Sequence, residues 1–235
     1  PSSSQATASG KKLLDANDKL VDGLEIVAGC FENSKRRTLL LKVRQAYQVY
    51  KQLIETYTIK AVYTNHDYEP YAIARDKEIQ DFLQGQQIEF HNYKDQVIFE
   101  KSEIMKPDGS PYTVFTPYSR LWKSHYFRIG DQYFPSEEKL SGLFKTTPFP
   151  IPALEAMGFE EAPLSIPLPQ LSEAILGAYQ NTRNLPSISG TSQVSTYLRF
   201  GLVSIRELVR LANQNSETWL NELIWREFFM MILFH

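Results

Sequence analysis

Trp219, Glu222, Trp225 and Arg226 fall within TWLNELIWREFFMMILFH, residues 218–235 of a 235-residue chain. The two indoles offer flat stacking faces, the carboxylate accepts hydrogen bonds, and the guanidinium donates them in a planar fork. At 100° per residue, Trp219, Glu222 and Arg226 share about 60° of a helix surface, with Trp225 about 60° further along. Leu220, Leu223, Ile224, Phe228 and Met231 cover most of the remainder. A helix apolar on nearly every side belongs inside a protein, where ionised groups are costly unless paired. Asn221, Glu222, Arg226 and Glu227 therefore satisfy one another or face a polar ligand. Two readings stay open. One is a Glu222–Arg226 pair at i,i+4 beside core tryptophans; the other is a pocket wall that stacks on a flat ligand and bonds its edge.

A second constellation is AYQNTRNLPSISGTSQVSTYLRFG at 178–201. Gly190, Thr191, Ser192 and Ser195 make a small hydroxyl-rich loop ahead of a short helical pattern. Such a loop can present N–H groups and hydroxyls to a phosphate, although Ser and Thr before a helix are more often plain N-caps. Tyr179 and Arg183, four apart, share a helical face just upstream. A third stretch, VYTNHDYEPYAIARD at 62–76, sets Asn65, Asp67, Tyr68, Glu69 and Pro70 directly after a strand pattern. Ligands of open α/β sheets bind at strand C-termini, and ordinary loop chemistry accounts for these residues equally well.

The elements that must position these groups follow from periodicity. Ala46, Val49, Tyr50, Leu53, Ile54 and Tyr57 recur at helical steps between Val43 and Tyr57. TLLLKV at 38–43, IKAVYTN at 59–65, IEFHNY at 88–93 and QVIFE at 96–100 read as strands. A helix starts near Pro70 and stops at Gly85, and Pro-Asp-Gly at 107–109 marks a turn between extended pieces. Strand alternating with helix implies a parallel sheet with covering helices. Between Gly130 and Gln170 lie seven of the chain's 13 prolines, which implies a long irregular connection. Helical patterns follow it. LSEAILGAY is one segment; SIRELVRLAN carries the S-x-x-E capping-box spacing at Ser204 and Glu207; the last segment starts at Ser216. The expected division is 1–37 unassigned or disordered, 38–130 an α/β domain, 131–170 a linker, and 171–235 the start of an all-α domain.

Composition narrows the class. With 43% hydrophobic and 22% charged residues the chain is typical of soluble globular proteins. No apolar run reaches the 18 or so residues that a membrane span needs, so no membrane partner is expected. PSSSQATASGKK at the start lacks the apolar segment of a secretory signal and reads as a frayed tail. One cysteine, Cys30, excludes an internal disulfide framework and fits a reducing cytoplasm. Four scattered histidines give no metal-ligand spacing, so no structural metal is expected. The net charge of −2 gives no global nucleic-acid signature, though 25 Lys and Arg leave room for a local basic face.

The three stretches, in this order, resemble the DNA photolyase/cryptochrome family, most of all its bacterial class I cyclobutane pyrimidine dimer photolyases. VYTNHDYEPYAIARD is similar to the family's NRDYEPYARERD, and VIFEKSEIMKPDGSPYTVFTPYSRLW resembles the end of its N-terminal domain. GTSQVSTYLRFG is similar to the flavin-phosphate loop GTSRLSPYLRFG, and WLNELIWREFF matches the signature helix nearly letter for letter. The likeness runs from about Thr38 to His235. It implies a Rossmann-like antenna domain followed by a helical domain that holds FAD. It also implies light-driven splitting of cyclobutane pyrimidine dimers by an electron from reduced FAD. Carried over by motif, Tyr179, Thr191, Ser192, Val194 and Ser195 line the FAD, with Trp219, Glu222 and Arg226 in or beside the flavin pocket. Glu222 and Trp225, the implied catalytic pair, meet the flipped-out dimer, and Arg183 lies near the DNA backbone. UV-damaged DNA is the implied partner of a cytoplasmic, monomeric bacterial enzyme, with an antenna chromophore, folate or deazaflavin, unassigned.

The sequence also departs from the pattern. Gln193 and Val194 replace the loop's Arg and Leu, residues 1–37 align with nothing, and the chain ends inside a helix without a Gly or Asn cap. An incomplete copy is therefore expected. A cryptochrome-type blue-light photoreceptor and an inactive remnant are the alternatives, and the Glu222-x-x-Trp225 pair favours repair.

Overall fold

The computed structural model describes residues 25–26, 43–44, 46–135, 138, 153, 155, 159–160 and 166–235. The expected N-terminal tail, Cys30, residues 38–42 of the first expected strand and most of the 131–170 connection lie outside them.

The chain divides into two compact units. The first comprises Pro1–Lys60, Glu78–Ile88 and Phe134–Ile166; the second comprises Ala61–Lys77, Glu89–Tyr133 and Pro167–His235. In the first unit, β1 (Glu25–Ile26) pairs antiparallel with β2 (Val43–Arg44), and helix α1 (Ala46–Thr56) follows. Its apolar stripe buries Ala46 and Val49, and Tyr47 meets Phe82 with ring centroids 4.8 Å apart. Ile79, Leu83 and Ile88 of the same unit are also buried.

The second unit holds β3 (Ala61–Asn65) and β4 (Glu89–Tyr93), paired parallel with Ala61 opposite Glu89 and Asn65 opposite Tyr93. They are joined in sequence by α2 (Pro70–Gly85), which starts and stops where Pro70 and Gly85 indicate. Asp67 Oδ1 accepts the N–H of Tyr68 (2.6 Å) and of Glu69 (3.3 Å), an Asx-type turn into that helix.

QVIFE is not a strand. Residues 96–100 run as an irregular loop, because the N–H groups of Ile98 and Phe99 are captured by a side chain, Glu227, instead of a neighbouring strand. The expected turn does form at 106–110, where Lys106 N–H bonds Ser110 O and Gly109 takes φ +77°. Beyond it stands α3 (Phe115–Ile129), a helix that the patterns above left unassigned. Pro117 is tolerated because a first-turn residue has no intrahelical N–H bond to lose. Tyr118, Trp122 and Tyr126, at four-residue steps, form its buried face.

Four more helices follow. They are α4 (Glu173–Thr182), α5 (Ser195–Arg199), α6 (Ile205–Asn215) and α7 (Glu217–Phe234). Ser216 caps α7 as its type predicts, its hydroxyl accepting Trp219 N–H at 3.4 Å. The capping box at Ser204 does not form: Ser204 occupies the cap of α6, but its side chain makes no capping bond. The order of elements thus agrees with an α/β region followed by helices. α7 packs on α3, α4 and α6, enclosing a core in which Trp122, Leu176, Val209, Ala212 and Ile224 are wholly buried. Each such large apolar side chain contributes about 1.5–3 kcal/mol by leaving water. Among the described residues no helix is long and apolar enough to cross a membrane.

Candidate functional site

The face between α4 and α7 collects several of the singled-out residues. Arg183, at the C-cap of α4, donates through Nη1 to Glu222 Oε1 on α7. Both side chains remain about one-third exposed. Tyr179, one turn back on α4, places its ring 6.0 Å beneath the guanidinium, and burial, then the Glu222 charge, push its hydroxyl pKa up. Thr218 Oγ1 donates to Gln180 Oε1 at 3.4 Å, a second tie between the two helices.

The loop ahead of α5 adjoins this face through Trp219. Trp219 Nε1 donates to Ser192 Oγ at 3.2 Å, and both residues are buried. Ser192 keeps its own O–H for another partner. Thr191 Oγ1 accepts from Gln193 Nε2 at 2.9 Å and keeps its O–H too. The loop is tightly built: a Cβ on Gly190 would lie 2.3 Å from Thr182 Cβ, so only glycine fits there. Gln193 takes φ +53°, which L-residues rarely adopt. Val194, buried, caps α5 without a side-chain bond, so neither Thr191 nor Ser195 serves as a plain N-cap; Ser195 is exposed.

Other members of the expected stripe point elsewhere. Glu222 and Arg226 do not pair. Arg226 Nη1 donates to Gln96 O at 2.6 Å, and its pKa is lowered first by burial, against the pull of Glu227. Trp225, half-buried, lies flat on Phe115, with ring centroids 3.7 Å apart and planes 5° from parallel. Asn221 Oδ1 is buried without a partner.

Glu227 is the group whose role the sequence left unstated. It is 1% exposed, and its carboxylate accepts Ile98 N–H (2.5 Å), Phe99 N–H (3.2 Å) and Trp122 Nε1–H (2.6 Å). Burial raises its pKa to about 7, against the lowering effect of those three donors and of Arg226. The available signal was an acid flanked by apolar Leu223 and Met231 at i−4 and i+4.

The 62–76 stretch forms its own network. Tyr68 Oη donates to Glu100 Oε2 and His66 Nδ1 meets the same oxygen, each at 2.8 Å, while Lys101 Nζ lies 3.1 Å from His66 Nε2. Burial, then the hydrogen bond to Glu100, push the Tyr68 hydroxyl well above the usual tyrosine range. Glu69 reaches Arg199 at 3.3 Å. These bonds tie β3 and its loop to residues 96–101. Among the described residues no group of three or more His, Cys, Asp or Glu could hold a metal ion.

Residues 20–138 match the family model for DNA photolyase. The chain belongs to the DNA photolyase family. A deoxyribodipyrimidine photo-lyase of Alkalihalophilus pseudofirmus is 30% identical over 199 residues, covering 75% of this chain and 40% of that one. A class III photolyase of Agrobacterium tumefaciens shares the fold, with TM-score 0.59 at 20% identity, covering 81% of this chain and 44% of that one. A photolyase of Sulfolobus tokodaii, solved with two FAD molecules, has TM-score 0.52 at 20% identity over 97% of this chain and 48% of its own. The chain spans about half the length of the curated relatives it matches.

Proposed function

We propose that this chain serves light-driven repair of cyclobutane pyrimidine dimers in DNA, as part of a deoxyribodipyrimidine photo-lyase. The carrying observation is the Arg183–Glu222 bridge, about one-third exposed to solvent, with Tyr179 and the Trp219–Ser192 bond beside it. In this reading the described α/β elements belong to a Rossmann-like antenna domain, and residues from 171 onwards begin the FAD-binding domain. The donor set fits the phosphate end of a dinucleotide: Thr191 and Ser192 each retain a free O–H, and exposed Ser195 adds a third. FAD, when bound, supplies light absorption and the transferable electron.

The chain's own residues then bind, orient and read. Thr191, Ser192 and Ser195 hold phosphate oxygens, with Val194 and Trp219 as the apolar backing and Arg226 fixing the neighbouring loop. Repair enzymes of this kind turn the damaged bases out of the duplex and read them by stacking and hydrogen bonds. Trp225 supplies the stacking face, worth about 1–3 kcal/mol per base. Glu222 bonds the polar edge of the dimer and stabilises charge arising there. Arg183 leaves Glu222 for a backbone phosphate, so that DNA binding frees the carboxylate where it is needed.

The test uses the full chain reconstituted with FAD. Photoreduced protein under blue light should remove dimers from an ultraviolet-irradiated oligonucleotide, with no removal in darkness. In a parallel titration it should bind dimer-bearing DNA more tightly than undamaged DNA. Equal affinity for both strands, with flavin retained, would redirect the reading to a blue-light photoreceptor; failure to retain flavin would leave an inactive remnant.

A further inference from the structure

Trp225 does not stand free to receive a base. Phe115, the first residue of α3, lies face to face with its indole at 3.7 Å and 5°, the separation and tilt of a stacked base. Phe229, one turn further along α7, inclines at 24° with its centroid 5.4 Å from Trp225. Phe228 meets both Trp225 and Phe115 edge-on, at 5.5 and 5.9 Å. An aromatic sandwich of this kind leaves no interplanar gap for a pyrimidine on the Phe115 side.

We infer that Phe115 is a stand-in for the damaged base: it occupies the stacking face of Trp225 in the free protein and is displaced when a dimer enters. This rests on the repair reading above and adds a residue that none of the family-like motifs assigned to the site. Three observations carry it. Phe115 is partly buried rather than locked in the core, and its ring partners on α7 are Trp225 and Phe228. Val114, the preceding cap residue, makes no side-chain capping bond and is 59% exposed, so the first turn of α3 opens onto solvent. Rotation about the Phe115 side chain therefore uncovers the indole without moving the rest of α3, which Tyr118 and Trp122 anchor. The protein thereby keeps a large aromatic surface covered until a flat ligand replaces the cover. Specificity follows too: only a base already unstacked from its neighbours competes for the face, which selects a lesion over a sound stack.

The experiment compares the unmodified chain, Phe115→Ala and Phe115→Leu, each titrated with a fluorescent oligonucleotide bearing one cyclobutane thymine dimer and with its undamaged twin. Phe115→Ala should bind the dimer strand about 2- to 10-fold more tightly, the factor that one aromatic stack represents. Undamaged binding should stay unchanged. Phe115→Leu retains apolar cover without a flat ring and should show a smaller gain; it decides the matter if the alanine variant folds poorly. In protein labelled with 5-fluorotryptophan, the fluorine signal of Trp225 should move on adding dimer DNA in the direction that Phe115→Ala moves it without DNA. If the variants keep the dimer preference but gain no affinity, the stand-in role is overturned and repair stands. If no form of the chain distinguishes dimer from undamaged DNA, the repair reading falls and this inference falls with it.

Discussion

Glu222 and Glu227 stand five residues apart on α7 and meet opposite fates. Glu227 is sealed from water, and three N–H donors from two distant segments converge on it. Glu222 keeps about a third of its surface and has an equally exposed guanidinium as its ion-pair partner. The tryptophans divide as well: Trp219 is buried with its indole N–H satisfied, whereas Trp225 is half-buried under the Phe115 ring. One side of the helix therefore fastens the 96–99 loop and α3 to the core; the other keeps its polar groups exchangeable. A buried carboxyl gripped by three fixed donors holds structure together. A charge with one replaceable partner can do chemistry.

The sharpest way to break this contrast is to remove each carboxylate in turn. Glu227→Ala leaves Ile98 N–H, Phe99 N–H and Trp122 Nε1–H buried and unpaired, each costing about 1–3 kcal/mol. The folded-state carboxyl is mostly protonated at pH 6, so little buried charge is relieved, and the net loss should be at least about 2–4 kcal/mol there. Glu222→Ala should cost under about 1 kcal/mol, because an exposed pair contributes little. Urea unfolding of both variants measures the difference. Equal losses would mean that the two sides of α7 are not divided as described.

Acidity gives a second test of the same division. The Glu227 carboxyl is raised from 4.5 to about 7 in the folded protein, chiefly by burial. Between those values the folded state holds a proton that the unfolded chain has released. Its stabilising contribution is therefore complete below pH 4.5 and is lost as the pH rises through 7, on the order of 3 kcal/mol in all. Unfolding free energies across pH 4.5–7.5 should show this decline in the parent chain and a flatter profile in Glu227→Gln. A decline that survives the glutamine variant would assign it to another group.

How much of this could be read from the sequence follows the range of the interactions. The parallel β3–β4 pair, α2 between Pro70 and Gly85, and the start of α7 at Ser216 were legible because their signals are local: alternation, a helix-starting proline, a capping serine. The Val97–Phe99 run was misread because its β-branched and aromatic residues suit a strand, whereas its backbone donors go to Glu227, 128 and 129 residues away. Nothing within the run announces that. α3 escaped for a different reason, since Pro117 and five aromatics disguised a four-residue repeat of Tyr118, Trp122 and Tyr126. At the site, the residue types were visible and their partners were not. The spacing on α7 offered Glu222 and Arg226 to each other, but the fold gives Glu222 to Arg183 and Arg226 to Gln96. Local geometry permits an i,i+4 pair; tertiary neighbours decide whether it forms.

The smallest expected effect concerns that rearranged pair. Arg183→Met and Glu222→Gln, alone and together, form a cycle that isolates the Arg183–Glu222 coupling. Both side chains are about one-third exposed, so solvent screening should hold the coupling to about 0.2–1 kcal/mol and reduce it further in 0.5 M salt. The Glu227 anchor should respond little to salt, since water and ions do not reach it. If the Arg183–Glu222 coupling instead reached several kcal/mol and ignored salt, the bridge would be a second structural fastening, and Glu222 would not be free for the role proposed for it.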